Sequence, residues 1–131
     1  MIEADELDIA RDELLYLVAD CQGFIEAHNL LAMLALEEGD VAIARGHFGF
    51  AFENGLEAVP SGFAGRLPAD QEYNRQFFDA GRGLARCLVA LNKPVEAREI
   101  LEQLARFDPR EESVQALLAE LKDPPARREG P

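Results

Sequence analysis

Residues 37–52 read EEGDVAIARGHFGFAF and decide the fold class of the chain. Gly39 can adopt the positive φ angle that ends a helix, and Asp40 is a residue type that caps the start of the next one. Beyond this turn, small or apolar residues recur at i, i+4 and i+7, which is the spacing of one helix face. That face consists of Ala44, Phe48 and Ala51. The stretch therefore predicts two helices joined by a tight turn.

Two glycines in the same stretch, Gly46 and Gly49, raise the question of a phosphate-binding loop. Such a loop places its glycines before the first turn of a helix, usually after a strand. Gly46 and Gly49 instead fall inside a predicted helix that follows no strand. We therefore expect them to allow close contact with a neighbouring helix, and we predict no ligand for them.

The rest of the chain shows the same helical periodicity, and no segment has the two-residue alternation of a strand. Asp70 is the expected N-cap of a fourth helix, and Pro94 and Pro109 suit the first turns of a fifth and a sixth. The six predicted helices span residues 4–21, 24–38, 41–58, 71–91, 94–106 and 109–121. The chain is therefore predicted to be all-α.

The helical pattern also repeats along the chain. Ala10 precedes Ala44 by 34 residues, and Ala97 follows Ala44 by 53, which is one more period of 34 with an insertion of 19. A 34-residue period of helix, turn and helix is the signature of tetratricopeptide repeats. The chain resembles that family from about residue 5 to residue 121. The positions that carry the resemblance are Leu31, Ala32, Gly39, Ala44, Phe48, Ala51, Leu84, Ala85, Ala97, Leu101 and Pro109.

The resemblance implies a right-handed α-solenoid of antiparallel helix hairpins with about six helices. Two full repeats would follow a half repeat, and a polar sixth helix would cover the open end of the core. The helical domain is expected over residues 1–122, with the insertion at about 56–74 and a flexible tail at 123–131.

The insertion is rich in Pro, Gly and Ser, so it is predicted to form a loop that carries Phe63 and Leu67. Long loops are usually functional or mobile, and this one is expected to fold back on the groove or on the convex side. Phe77 and Phe78, at the head of the fourth helix, are expected to pack against the third helix.

Members of the tetratricopeptide repeat family bind partner peptides along a concave face, through the first helix of each hairpin. The resemblance therefore implies a protein–protein interaction module, an adaptor or scaffold without catalytic activity. The contact positions correspond to Glu26, Asn29, Met33 and Leu36 in one repeat and to Asp79, Arg82, Arg86 and Val89 in the other.

Arg82 and Arg86 lie one turn apart on one helix face. Two guanidinium groups at this spacing can bind a carboxylate of the partner through forked hydrogen bonds. The alternative is that they pair with Asp79 or with nearby glutamates, which would stabilise the protein little.

The charge of the chain narrows the choice of partner. The formal net charge is −12, which disfavours nucleic acid and anionic membranes as partners. The first residues, MIEADELD, lack the basic start and apolar run of a signal peptide. We therefore expect a cytoplasmic protein whose partner is a protein, a peptide or a second copy of itself in a homodimer.

The two histidines and two cysteines are the candidates for metal or catalytic chemistry. Zinc needs three or four ligands, and neither His28 nor His47 has a second His or Cys four residues away. We expect His28 to be a hydrogen-bonded core residue, His47 to be partly exposed, and Cys21 and Cys87 to be small buried hydrophobes. No metal, no cofactor and no catalytic residue is predicted.

Three functions remain open at this stage. The first is the adaptor, and the second is a structural protein that associates with itself through its exposed ends. The third is a helical-bundle metal protein or enzyme that would use the histidines and carboxylates. Light scattering separates the second from the first, and elemental analysis for bound metal tests the third.

Overall fold

The structure is a computed structural model that describes residues 17, 19–63 and 65–122. This part of the chain contains five α-helices and no strand, as predicted for an all-α chain. The helices are α1 (Ala19–Glu37), α2 (Val41–Glu57), α3 (Glu72–Ala90), α4 (Pro94–Phe107) and α5 (Glu112–Lys122).

The helices α1 to α5 correspond to the second to sixth predicted helices. The first predicted helix lies outside the described residues, except for its C-terminal end. The predicted break before Phe24 is wrong, because α1 begins at Ala19 and continues through Gly23. A glycine inside a helix lowers its stability by about 1 kcal/mol but does not end it.

The same turn joins the helices of both hairpins. Gly39 has a φ of 82°, and the N–H of Asp40 bonds the carbonyl of Ala35 at 2.9 Å. In the second hairpin Asn92 has a φ of 68°, and the N–H of Lys93 bonds the carbonyl of Leu88 at 2.7 Å. These bonds form the Schellman motif, in which a left-handed residue closes a helix. The turns that the sequence predicts at Gly39–Asp40 and at Asn92–Lys93 are therefore confirmed.

After each turn, residues at the N-terminus of the next helix favour its start. The side chain of Asp40 accepts a hydrogen bond from the N–H of Ile43 at 3.1 Å, which confirms it as the N-cap of α2. Pro94 is the first residue of α4, as predicted, where its missing N–H costs nothing.

Each helix packs against the next, and α1 also contacts α3. The core that results contains residues from all five helices. Small residues at the helix contacts let the helices approach closely, as the repeat pattern predicts. The buried repeat positions are Ala32, Ala44, Phe48, Ala51, Leu84, Ala85, Ala97 and Leu101.

Leu31 departs from this pattern, because it is 45% exposed whereas its equivalent Leu84 is 8% exposed. Leu84 lies in the cleft between α2 and α4.

Aromatic packing joins the two hairpins. Phe77 stacks on Phe52 with the ring centroids 5.1 Å apart, and Phe77 and Phe78 are both fully buried. Phe77 therefore packs against the third predicted helix, as expected. The ring also occupies the space beside Gly55, where a Cβ atom would overlap it.

The insertion packs against the end of α4. Leu67 is fully buried, and its N–H donates to the carbonyl of Phe107 at 2.9 Å. The next contact is the N–H of Ala69, which donates to the buried carboxylate of Asp108 at 2.8 Å. These bonds attach the loop to the second hairpin.

Two predicted helix starts are wrong. Asp70 does not cap α3, because residues 68–71 form a turn and α3 begins at Glu72 with Gln71 as its N-cap. Pro109 does not open α5, because the carboxylate of Asp108 accepts the N–H of Arg110 at 3.1 Å. This side-chain turn holds residues 108–111 out of the helix, which begins at Glu112.

The packing predicted for Gly46 and Gly49 is also wrong. A Cβ atom at either position would meet nothing within 4 Å, so neither glycine provides a close helix contact. They line an open surface depression between α2 and α4 instead. The glycines that do allow close contacts are Gly55, Gly81 and Gly83, which face Phe77, Leu104 and Phe48 respectively.

This difference predicts opposite effects for one substitution at two sites of α2. Gly49→Ala is expected to raise the free energy of unfolding by about 0.5–1 kcal/mol, because alanine is the better helix former and has free space there. Gly55→Ala is expected to lower it by about 1–3 kcal/mol, because the new methyl group overlaps the ring of Phe77.

Urea denaturation of both variants measures this difference. Both variants gain the same helix propensity, so the difference between their free energies of unfolding reports the packing of the new methyl group. Effects of the same sign and size would contradict the contact between Gly55 and Phe77.

Candidate partner-binding groove

The helices α1 and α3 run side by side and enclose a groove of about 410 Å³. The N–H of Leu17, just before α1, donates to Asn74 near the start of α3 at 3.1 Å. The groove extends from there towards Leu36 and Arg86, in the later turns of the two helices. Both helices therefore run in the same direction along it.

Seven of the eight predicted contact residues line this groove. Val89 is the exception, and it lies in an adjoining depression that it shares with Arg86 and Leu121. The structure thus brings the predicted residues together, and their role in binding stays a prediction. The seven are Glu26, Asn29, Met33, Leu36, Asp79, Arg82 and Arg86.

The floor of the groove is apolar, and its α1 wall carries exposed apolar side chains. Gly83 has no side chain, so the ring of Phe48 from α2 reaches the floor; a Cβ atom at position 83 would lie 2.5 Å from it. On the α1 wall, Leu30 and Met33 are 60% and 55% exposed. The groove therefore offers apolar surface to a partner.

Arg82 is already bonded within the protein, as the alternative from the sequence expected. Its guanidinium pairs with Asp79, donates to the hydroxyl of Ser113 at 2.9 Å and lies 3.8 Å from Glu111. Its side chain is only 17% exposed. Arg82 therefore ties α3 to the start of α5.

Arg86 differs from Arg82 although it lies one turn further along the same helix. It is exposed, and among the described residues no carboxylate lies within 4 Å of its guanidinium. Of the two arginines in this part of the groove, Arg86 is thus the one whose donors face solvent.

Asn29 is 6% exposed, and its Nδ2 donates to the main-chain carbonyl of Gln76 at 3.0 Å and to the side-chain Oε1 of Gln76 at 2.9 Å. A main-chain carbonyl only accepts, so these bonds determine which end of the amide faces Gln76. The buried Oδ1 of Asn29 then has no donor among the described residues. Leaving such an acceptor unsatisfied costs about 1–3 kcal/mol.

Sequence reasoning missed Gln76. The repeat pattern points to Asp79 as the first groove residue of α3, and Gln76 lies almost one turn before it. Its place in the groove follows from helical spacing alone, because residues three apart share a helix face.

His28 and His47 form a pair that sequence reasoning also missed. Their Nδ1 atoms are 3.1 Å apart, and the ring of His28 also contacts Phe24 and Phe50. His28 is hydrogen-bonded as expected, but it is only partly buried, so it is not a core residue. His47 is partly exposed, as predicted.

The two histidines do not belong to a larger set of ligands. Among residues 17, 19–63 and 65–122, no group of three or more His, Cys, Asp or Glu side chains could hold a metal ion. Burial and, to a smaller extent, the charge of His47 lower the pKa of His28. The pair therefore favours the neutral state of His28.

The cysteines occupy two different settings. Cys87 is buried, as predicted. Cys21 is only partly buried, and its Sγ lies 3.1 Å from Oδ1 of Asn54. Burial raises the pKa of both thiols, which disfavours the reactive thiolate at neutral pH.

The His28–His47 contact predicts a measurable pH dependence. The folded protein prefers the neutral form of His28, because the pKa of this ring is lowered. The free energy of unfolding therefore falls as the pH drops from about 6.5 towards the lowered pKa of His28. His47→Phe keeps a ring over His28 and removes the charge. We expect it to raise the pKa of His28, which still stays below about 6.5 because burial remains the larger cause.

Proton NMR titration of the His28 ring measures this pKa in the unmodified protein and in the variant. The variant retains a single histidine, so its ring signals need no further assignment. An identical pKa of His28 in the two proteins would contradict the contact between the rings.

Comparison with known proteins agrees with the helical repeat. The family model described as "Tetratricopeptide repeat" matches residues 70–121, a segment that spans α3, α4 and nearly all of α5. No curated protein and no solved structure matches the chain significantly. None of the described helices has the length and apolar character needed to cross a lipid bilayer. The match over residues 70–121 supports the tetratricopeptide repeat assignment that the spacing of small and apolar residues predicts.

Proposed function

We propose that this protein is a non-catalytic interaction module that binds a segment of another protein in the groove between α1 and α3. The observation that carries this proposal is the groove itself, where exposed Leu30 and Met33 lie near the solvent-facing guanidinium of Arg86. Tetratricopeptide repeats generally mediate protein–protein interaction and are typically non-enzymatic, which supports the proposal.

The groove needs little rearrangement to bind. Arg82 links α3 to α5, and the amide of Asn29 links α1 to α3, so both walls are held in place without a ligand. A groove that is already formed lowers the entropy lost on binding. An extended partner segment would then bear most of the ordering cost.

The residues of the groove indicate which side chains a partner would carry. Apolar side chains of the partner would cover Leu30, Met33 and Phe48, and a carboxylate would pair with Arg86. Only the part of the partner that reaches Arg86 needs to be acidic, because the net charge of −12 disfavours a partner that is acidic overall.

The proposal includes the wider architecture and the place of action. The two hairpins would form part of a right-handed solenoid of about six helices, in which α1 and α3 face the concave side. The protein would act as an adaptor in the cytoplasm, which is compatible with its acidic composition.

Reversing the charge of Arg86 tests this function. Arg86→Glu is expected to remove the partner that the unmodified protein recovers from its native cell extract, because a glutamate repels the partner's carboxylate. Affinity purification with quantitative mass spectrometry measures the loss. Arg45→Glu is the matched control, since Arg45 is an exposed arginine that lines the depression between α2 and α4. Recovery of every partner by Arg86→Glu at the unmodified level would refute the groove assignment.

Self-association is the second candidate, and the exposed outer side of α1 and α2 favours it. Phe24, Ile43 and Phe50 are 41%, 53% and 60% exposed, and Phe24 and Phe50 both contact the ring of His28. Exposed apolar side chains that cluster in this way are typical of interfaces. This surface would allow two copies to form a homodimer.

Light scattering over a range of concentrations tests this candidate. If the outer surface forms a dimer, Phe50→Glu is expected to convert it to the monomer, because a buried carboxylate without a partner is costly. A monomer at every concentration of the unmodified protein would rule this candidate out and leave the groove proposal intact.

A further inference from the structure

The amide groups of Asn29 and Gln76 form one hydrogen-bonded unit on the two walls of the groove. Nδ2 of Asn29 uses its donors on the carbonyl and on Oε1 of Gln76. Two groups of this unit make no hydrogen bond within the described residues. They are the acceptor Oδ1 of Asn29, which is buried, and the donor Nε2 of Gln76.

One acceptor and one donor are what a peptide unit needs, because its N–H donates and its carbonyl accepts. We propose that the Asn29–Gln76 amide pair binds the main chain of the partner. The N–H of one partner residue would donate to Oδ1 of Asn29, and a carbonyl beside it would accept from Nε2 of Gln76. This inference rests on the proposed function, since it concerns the same groove.

The state of Asn29 explains why a partner, and not solvent, would supply the missing donor. Oδ1 has less than 1 Å² of exposed area, so neither water nor a partner reaches it until neighbouring side chains move. Leu30 and Met33, exposed side chains of the same wall, rotate on the scale of picoseconds to nanoseconds. In our proposal the partner displaces side chains of this wall, excludes water and supplies the N–H, because a hydrogen bond is strong in such a site.

The proposed contact also predicts how far apart the two contacting groups lie in the partner. Gln76 and Arg86 are ten residues apart on α3, which is about 15 Å along the helix. An extended chain covers about 3.3 Å per residue. The main-chain contact and the carboxylate that pairs with Arg86 should therefore lie about four or five residues apart in the partner.

The first test uses a peptide of known sequence. A random 12-residue peptide display library is selected on the full chain, and the tightest selected peptide becomes the probe. Gln76→Glu keeps an acceptor for Nδ2 of Asn29 and removes the free donor, and it also adds one negative charge. We expect this variant to weaken binding of the probe about tenfold or more, with an unchanged melting temperature.

Gln71→Glu is the matched control. Gln71 is exposed, lies five residues earlier in the chain and makes no capping hydrogen bond through its side chain, so the same substitution adds the same charge outside the amide pair. We expect the probe to bind this control within about twofold of the unmodified protein. A tenfold loss in both variants would assign the effect to charge and would overturn the inference.

The second test changes the probe. Each of its residues is N-methylated in turn, which removes one main-chain N–H at a time. We expect one position to weaken binding about tenfold, four or five residues from the acidic residue of the probe. Isothermal titration calorimetry measures each dissociation constant.

Different results would refute the main-chain contact and the proposed function. A probe that requires Arg86 but tolerates Gln76→Glu and every N-methyl group would overturn the main-chain contact and leave the proposed function in place. If no library peptide binds, or if the probe binds Arg86→Glu equally well, the proposed function fails and the inference fails with it.

Discussion

The contact between Phe48 and Gly83 determines how the two hairpins fit together. The ring of Phe48 fills the space that any side chain at position 83 would need, so α2 lies directly against α3. One turn further along α2, Phe52 stacks on Phe77 and extends the same interface. Because a tight turn holds α1 against α2, this interface also sets the distance between α1 and α3. The groove and its apolar floor are consequences of that distance.

Within the groove, two arginines of the same helix make different contacts. Arg82 faces Asp79 and the start of α5, so its donors are used inside the protein. Arg86 lies one turn beyond and has no carboxylate within reach among the described residues. An arginine that is already paired contributes to the shape of the groove, whereas one that faces solvent can select a partner. The recognition chemistry that we propose therefore depends on one guanidinium and one amide pair.

Local signals predicted most of the helices and both tight turns. Gly39, Asp40 and Pro94 act through their own backbone preferences or through bonds to residues a few positions away, so their roles can be read from the sequence. Three of the errors have a common cause. Gly46 and Gly49 resemble packing glycines, and Asp70 resembles a cap, but their actual surroundings are set by distant residues. The segment from Leu67 to Ala69 is held by Phe107 and Asp108, some 40 residues away in the chain, and this contact delays the start of α3.

The amino-acid sequence by itself predicted most of the described helices, their order and the residues that could line a groove. These features follow from the 3.6-residue period of the helix and from the preferences of turn and cap residues, which act over a few positions. Only the tertiary structure decided which polar groups meet. It paired His28 with His47, bonded Asn29 to Gln76, and separated Arg82 from Arg86. Such pairings depend on distances of a few ångströms between helices, and those distances are set by side-chain packing across the whole core.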